Sequence, residues 1–132
     1  MTEGQLAGYP GEGTLDDVLG FELLEATGDG CRARCPVERR VQQLFGLVHG
    51  GTYAALAETM VSWATVIAVA PAGNLAVGQS NSTTFLRPVT SGSVHAEGTP
   101  RHRGRTTWVW EVEITDDQER LCALVRMTIA VR

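Results

Sequence analysis

Residues 43–70, QLFGLVHGGTYAALAETMVSWATVIAVA, constrain the fold of this chain more than any other stretch. They are too apolar for a solvated surface and too long for a strand, so they read as a buried helix. One acidic residue, Glu58, sits in the middle, and no other Asp or Glu occurs between Glu38 and Glu97. Burying a lone carboxylate costs several kcal/mol unless a partner or a function offsets it. Glu58 is therefore the first candidate functional residue, and its expected state is buried and hydrogen-bonded.

Glu58, Ser62 and Thr65 stand at i, i+4 and i+7, which places them on one narrow polar seam of the helix. In a generic helix Ser62 and backbone donors would merely satisfy the carboxylate; a buried Glu with a task is the sharper reading. The helix is expected to begin near His49 or Thr52, behind His49-Gly50-Gly51, and to end before Pro71. Two small residues at a helix N-terminus leave backbone N–H groups open to an acceptor, and a carbonyl against the Gly50 N–H would be polarised as in an oxyanion hole. Equally, the glycines serve only a tight turn, and His49 only caps the helix. Nine residues of helix separate His49 from Glu58, about 14 Å and two and a half turns. One reaction using both ends needs two chains, so a symmetric dimer is expected, with Gly50 of one subunit facing Glu58 of the other.

The rest of the chain reads as strands. Residues 21–26 and 31–37 form a hairpin about Gly28-Asp29-Gly30, and residues 75–87, 93–103, 106–115 and 120–132 are four more strand-like segments with short turns. Trp108, Trp110, Val112 and Ile114 share one face, as do Leu121, Ala123, Val125, Met127, Ile129 and Val131. Residues 75–87 differ, because Gln79 to Thr84 are polar on both faces; such a strand meets a partner subunit or a ligand, or is a solvated edge. A short capped helix is expected over 14–19 after a polar tail, residues 1–13. The sum is a single α+β domain over residues 1–132, one long central hydrophobic helix wrapped by a curved antiparallel sheet of about six strands.

Composition narrows the function. A formal net charge of −4 disfavours broad nucleic-acid binding. All eleven basic residues are arginines, and Arg101, Arg103 and Arg105 cluster as a local anion site. Cys31, Cys35 and Cys122 lack metal-like spacing and read as reduced structural thiols, and His95 and His102 do not read as metal ligands. Ser62, Thr65 and Pro71 interrupt the apolar run short of a membrane span of about 20 residues. A cytoplasmic protein with no membrane or nucleic-acid partner is expected. No nucleophile elbow or phosphate-cradling loop occurs, which disfavours an α/β serine esterase and an NTPase.

Gln43, His49-Gly50-Gly51, Glu58 and Ser62 together resemble the pattern of hotdog-fold acyl-CoA thioesterases, in the branch of 4-hydroxybenzoyl-CoA and 1,4-dihydroxy-2-naphthoyl-CoA thioesterases and near the phenylacetate-pathway thioesterases. The similarity runs from about residue 40 to the C-terminus and includes FLRP at 85–88 and HRGR at 102–105. The resemblance implies a hotdog fold, with the long helix as filling, paired into dimers and commonly stacked into tetramers. It implies hydrolysis of an acyl-CoA, with an aromatic or compact acyl group, by Glu58 acting as nucleophile or general base. It gives the Gly50 N–H the carbonyl, Gln43 and His49 its orientation, and Ser62 the water or carboxylate. Gly51, Phe85, Arg87, Arg101, Arg103, Arg105 and Thr106 fall to substrate and coenzyme A, which is part of the substrate; no separate cofactor or metal is implied. A non-catalytic acyl-CoA-binding or effector-sensing module is the alternative from another class. A hotdog dehydratase would need an Asp/His pair that is not apparent.

Overall fold

The computed structural model describes residues 7–132. Helix α1 (Leu15–Leu19) is capped by Thr14 and closed by Gly20 in the left-handed conformation. Strands β1 (Glu22–Thr27) and β2 (Gly30–Pro36) form the expected hairpin, and a 3₁₀ turn over Arg39–Val41 leads to the long helix α2 (Gly50–Val69). Strands β3 (Ala76–Phe85), β4 (Ser93–Arg103), β5 (Thr107–Thr115) and β6 (Leu121–Val131) follow. Every expected element is present within a residue or two of its anticipated ends.

All six strands join one antiparallel sheet in the order β1-β2-β4-β5-β6-β3. Alternation places Trp110, Val112, Ile114, Val125, Met127 and Ile129 on the face under α2, where they are buried with Leu56, Met60, Val61 and Ala64. Burying such side chains stabilises by about 1.5–3 kcal/mol each. Cys31, Cys35 and Cys122 are free, buried thiols in this core, and burial pushes Cys31 up to about 12 and Cys35 up to about 11.

Three expectations need correction. The seam on α2 splits: Thr65 is fully buried, donates to the Val61 carbonyl and accepts the Trp110 indole N–H at 2.9 Å. Thr65 lies only about 20° around the helix from Glu58, so its burial reflects its place along α2, against Trp110 of the sheet. The α-helix ends at Val69, before Pro71 as expected, but a 3₁₀ turn over Ala70–Ala72 follows it directly and lengthens the apolar run. Residues Gly50–Ala72 are long and apolar enough to span a membrane, with mean hydropathy 1.4, but one flank of this helix is the roof of the core. Finally, of the expected loose tail, residues 1–6 lie outside those described, and Tyr9 packs edge-on against Trp63 of α2 with ring centroids 5.9 Å apart. Thr59 of α2 also donates to Asp16 in α1, so this segment covers one side of the helix.

Strand β3 is the exception to burial. It bonds to β6 along one edge, its other edge is free, and every one of its residues is exposed or half-buried. Val77 and Phe85 on it, Leu75 and Leu86 at its two ends, and Leu44 and Phe45 in the loop before α2 are all exposed large apolar side chains.

Candidate active site at the α2–β3 seam

The start of α2 is fixed by three hydrogen bonds to two anchoring carbonyls. The Val48 N–H donates to the Val89 carbonyl, the His49 N–H to the Val41 carbonyl, and the Thr52 hydroxyl to that same Val41 oxygen. His49 is the N-cap, with its Nδ1 accepting the Gly51 N–H at 2.8 Å. That bond identifies Nδ1 as the unprotonated ring nitrogen. The capping role expected for His49 is thus present, and it consumes the Gly51 N–H. The Gly50 N–H, next to it, has no acceptor among the described residues.

Gln43 sits in a tight loop closed by its own N–H on the Leu47 carbonyl, with Gly46 at φ +83°. Its Oε1 accepts the backbone N–H groups of Phe45 and Leu47. With the oxygen so engaged, the amide NH₂ is the end left for another acceptor. Gln43, Gly50, Tyr53, Phe85 and Arg87 line one cavity of about 380 Å³ with Leu47, Val48, Leu86 and Pro88. Gln43 and Arg87 bring side-chain donors to it and Tyr53 a hydroxyl, and no Asp or Glu is among the described residues that line it. The arrangement suits a carbonyl or phosphate oxygen.

Phe85 lies across Gly50 so closely that a β-carbon there would stand 2.7 Å from the ring. Gly50 is therefore favoured by close approach of the ring and not by backbone conformation, and a larger residue there would have to displace Phe85. The ring also lies 6.3 Å from that of Tyr53. Tyr53 is buried, and its hydroxyl has no partner among the described residues. The sequence alone did not single it out, because a tyrosine in an apolar helix reads as core.

Glu58 is not buried within one chain, which corrects the opening expectation. It is exposed on the flank of α2 that faces β3, with Ser62 half-buried one turn on. Gly50 and Glu58 are separated by eight residues, about 12 Å of helix, and lie on neighbouring flanks. Distance along the helix keeps them from one carbonyl within a chain.

The arginines divide. Arg87 lines the cavity beside Gly50. Arg101, Arg103, Arg105 and Thr106 lie at the β4–β5 hairpin, at the opposite end of the sheet, where Thr107 pairs with Ala130 and Ala130 with Val77. Arg103 is held by Asp29 at 2.5 Å and by the Gly28 carbonyl, Arg101 lies 3.8 Å from Glu111, and the Thr106 carbonyl accepts from Val131 and Arg132. Arg105 makes no ion pair among the described residues. The structure thus brings Gln43, His49, Gly50, Gly51, Phe85 and Arg87 together, and leaves Glu58 with Ser62, and the hairpin arginines, apart from them in the single chain. No group of three or more His, Cys, Asp or Glu able to hold a metal occurs among the described residues.

The family model described as the thioesterase superfamily matches residues 45–123, which include α2, β3 and all of β4 and β5. The chain belongs to the thioesterase superfamily. A proofreading thioesterase, EntH, from Cronobacter turicensis is 40% identical over 119 residues, covering 90% of this chain and 86% of that one. EntH from Klebsiella pneumoniae is 38% identical over 120 residues, covering 91% and 87%. Among solved structures, a thioesterase of Haemophilus influenzae superposes with a TM-score of 0.86 at 36% identity, covering 92% of this chain and 84% of that one. One long helix on a six-stranded antiparallel sheet is the hotdog fold of these thioesterases, and the chain is a hydrolase acting on thioesters.

Proposed function

We propose that this thioesterase hydrolyses an acyl-CoA with an aromatic or compact acyl group, at two equivalent sites built across a two-fold dimer. The observation that carries this reading is the placement of Glu58 in the open, beside the free edge of β3, about 12 Å along the same helix from an unoccupied Gly50 N–H. Antiparallel pairing of β3 with β3 of a second copy would join two sheets into one. It would also bring the Gly78 end of one strand to the Phe85 end of the other. Glu58 lies beside Gly78, and Gly50 beneath Phe85. The exposed Leu75 and Val77 at one end of β3, and Phe85 and Leu86 at the other, are then covered together.

In the site so formed, the Gly50 N–H and the Gln43 amide donate to the thioester oxygen, where negative charge develops, and a single such donor supplies about 10²–10³ in rate. Glu58 of the other chain acts in one of two ways. As general base it takes a proton from water, whose oxygen adds to the carbonyl carbon; the carbon–sulfur bond then breaks and coenzyme A leaves as the thiol. As nucleophile it forms a mixed anhydride with loss of the thiolate, and water then cleaves the anhydride. Ser62 is placed to orient the water or the carboxylate. His49 acts by capping α2 and so holding Gly50 in place. For the coenzyme A phosphates, Arg87 and Arg105 are the freer candidates, whereas Arg101 and Arg103 already have carboxylate partners. A tetramer would stack on the outer sheet face, where Leu124 is exposed in a hollow lined by Ser82, Thr84, Glu111, Glu113 and Arg126. The buried free thiols fit a reducing, cytoplasmic location.

Thiol release from benzoyl-, hydroxybenzoyl-, phenylacetyl-, dihydroxynaphthoyl- and medium-chain acyl-CoAs tests this reading. Glu58→Gln should lose at least about 10³ in kcat while remaining dimeric. Full activity in Glu58→Gln, or in a monomer by light scattering, would overturn it.

A further inference from the structure

Between Gly50 and Glu58, α2 meets β3 at one more point. The Asn81 side-chain amide donates from the strand to the Ala54 carbonyl at 3.0 Å. In an α-helix that carbonyl is also the acceptor for the backbone N–H of residue 58. The side-chain bond therefore falls on the peptide oxygen that anchors the catalytic turn.

The register of β3 makes this contact possible. Residues three apart in a regular strand point to opposite faces, so Gly78 and Asn81 could not both face the helix. The ladder with β6 shifts between Gly78 and Ser80, a bulge at Gln79 that adds one residue and restores the facing. Beyond it, Asn81 and Phe85 are four apart and share a face. Three strand residues, Gly78, Asn81 and Phe85, thereby meet helix residues 58, 54 and 50 in turn. A bulge in the strand is thus matched to two four-residue steps of the helix.

The polarity of the contact is also fixed. The Ala54 oxygen can only accept, so the amide nitrogen must face it. The amide oxygen accepts the Thr83 hydroxyl at 2.7 Å. A solvated asparagine on an edge strand would have neither end engaged in this way.

We propose that Asn81 is a positioning residue for Glu58, clamping the turn of α2 that carries the carboxylate, with Thr83 holding the amide in the donating orientation. The inference rests on the catalytic reading of Glu58 given above. Asn81 does not touch the reacting atoms. It limits how far the carboxylate can drift from the carbonyl, and small misplacements of a catalytic group cost large factors in rate.

The test uses the full-length dimer and steady-state thiol release. Asn81→Leu should lower kcat about tenfold and leave KM within about twofold, the pattern of a lost transition-state alignment and not of lost binding. Thr83→Val should lower kcat about threefold, and Thr83→Ser, which keeps the hydroxyl, should restore it. Because Thr83 acts through Asn81, Thr83→Val should cost nothing more in the Asn81→Leu background. Should Asn81→Leu fold poorly, the Thr83→Val and Thr83→Ser pair carries the same question on an exposed strand. A folded Asn81→Leu dimer with kcat within about twofold of wild type overturns the proposal, as does an effect confined to KM, or independent losses from the two positions. Glu58→Gln in the same assay separates the failures. If it is inert while Asn81→Leu is fully active, only the positioning role falls; if it is fully active, both fall.

Discussion

The Glu58 carboxylate and Gly78 are neighbours across the α2–β3 seam: Oε1 lies 3.4 Å from the point that a β-carbon on Gly78 would occupy. A methyl group fits at that distance, whereas a branched side chain would displace either the carboxylate or the Met127 side chain, which lies 3.7 Å away. Gly78→Ala should retain kcat within about twofold, and Gly78→Val should lower it by about tenfold or more. Equal activities in the two variants would show that the carboxylate does not depend on this contact.

At the other end of the seam, a β-carbon on Gly50 would stand 2.7 Å from the Phe85 ring. Gly50→Ala should therefore shift the ring or the helix start and reduce kcat/KM, by up to the 10²–10³ that one oxyanion donor typically supplies. Phe85→Leu should recover part of that loss in the Gly50→Ala background, because it removes the colliding edge. Purely additive losses would argue that the clash is not the cause.

The orphaned Tyr53 hydroxyl yields a stability prediction. Burial pushes this phenol up to about 12, and its hydroxyl has no partner among the described residues to offset the loss of water. Removing an unsatisfied buried group is neutral to stabilising, by up to about 1 kcal/mol. Tyr53→Phe should raise Tm by zero to about 5 °C. A fall of several degrees in a melting curve would show that the hydroxyl makes a stabilising contact.

Acid sensitivity should centre on the β5–β6 turn. Burial raises the Asp116 carboxyl, but the backbone N–H and the guanidinium of Arg120 and the backbone N–H of Gln118 outweigh it, so the net effect is to hold it below the usual carboxylate range. The unfolded chain then binds the proton more readily than the folded one. The stabilisation is fully present above about pH 4 and is lost as pH falls through the lowered folded value. Asp116→Asn should be less stable than wild type at pH 7 and should converge on it as pH falls through that lowered value. A constant difference across that range, followed by thermal melts, would refute the assignment.

How much of this was readable beforehand differs from element to element. The ends of β2, β4, β5 and β6 follow from alternation, since Arg32 and Arg34 must face water while Cys31, Ala33 and Cys35 enter the core. The polarity of β3 on both faces correctly marked it as unlike its neighbours. The exposure of Glu58 was not legible, because helical periodicity says which residues share a flank but not whether the same chain covers that flank. The burial of Thr65 was hidden for the same reason, because periodicity does not say which turns of the helix the sheet covers. Arg103 looked available because its partner Asp29 is 74 residues distant. The bulge at Gln79 has no signature in a run of small polar residues, and without it Asn81 could not be placed against Ala54.

In the proposed dimer, the 12 Å of helix between Gly50 and Glu58 gives one polypeptide two unlike half-sites. A chain with Gly50→Val and a chain with Glu58→Gln, each inert by itself, would complement one another when co-expressed. Every mixed pair would hold one doubly damaged pocket and one wholly intact pocket. Random assortment predicts about a quarter of wild-type turnover from two dead alleles, a recovery that no arrangement confined to one chain can produce.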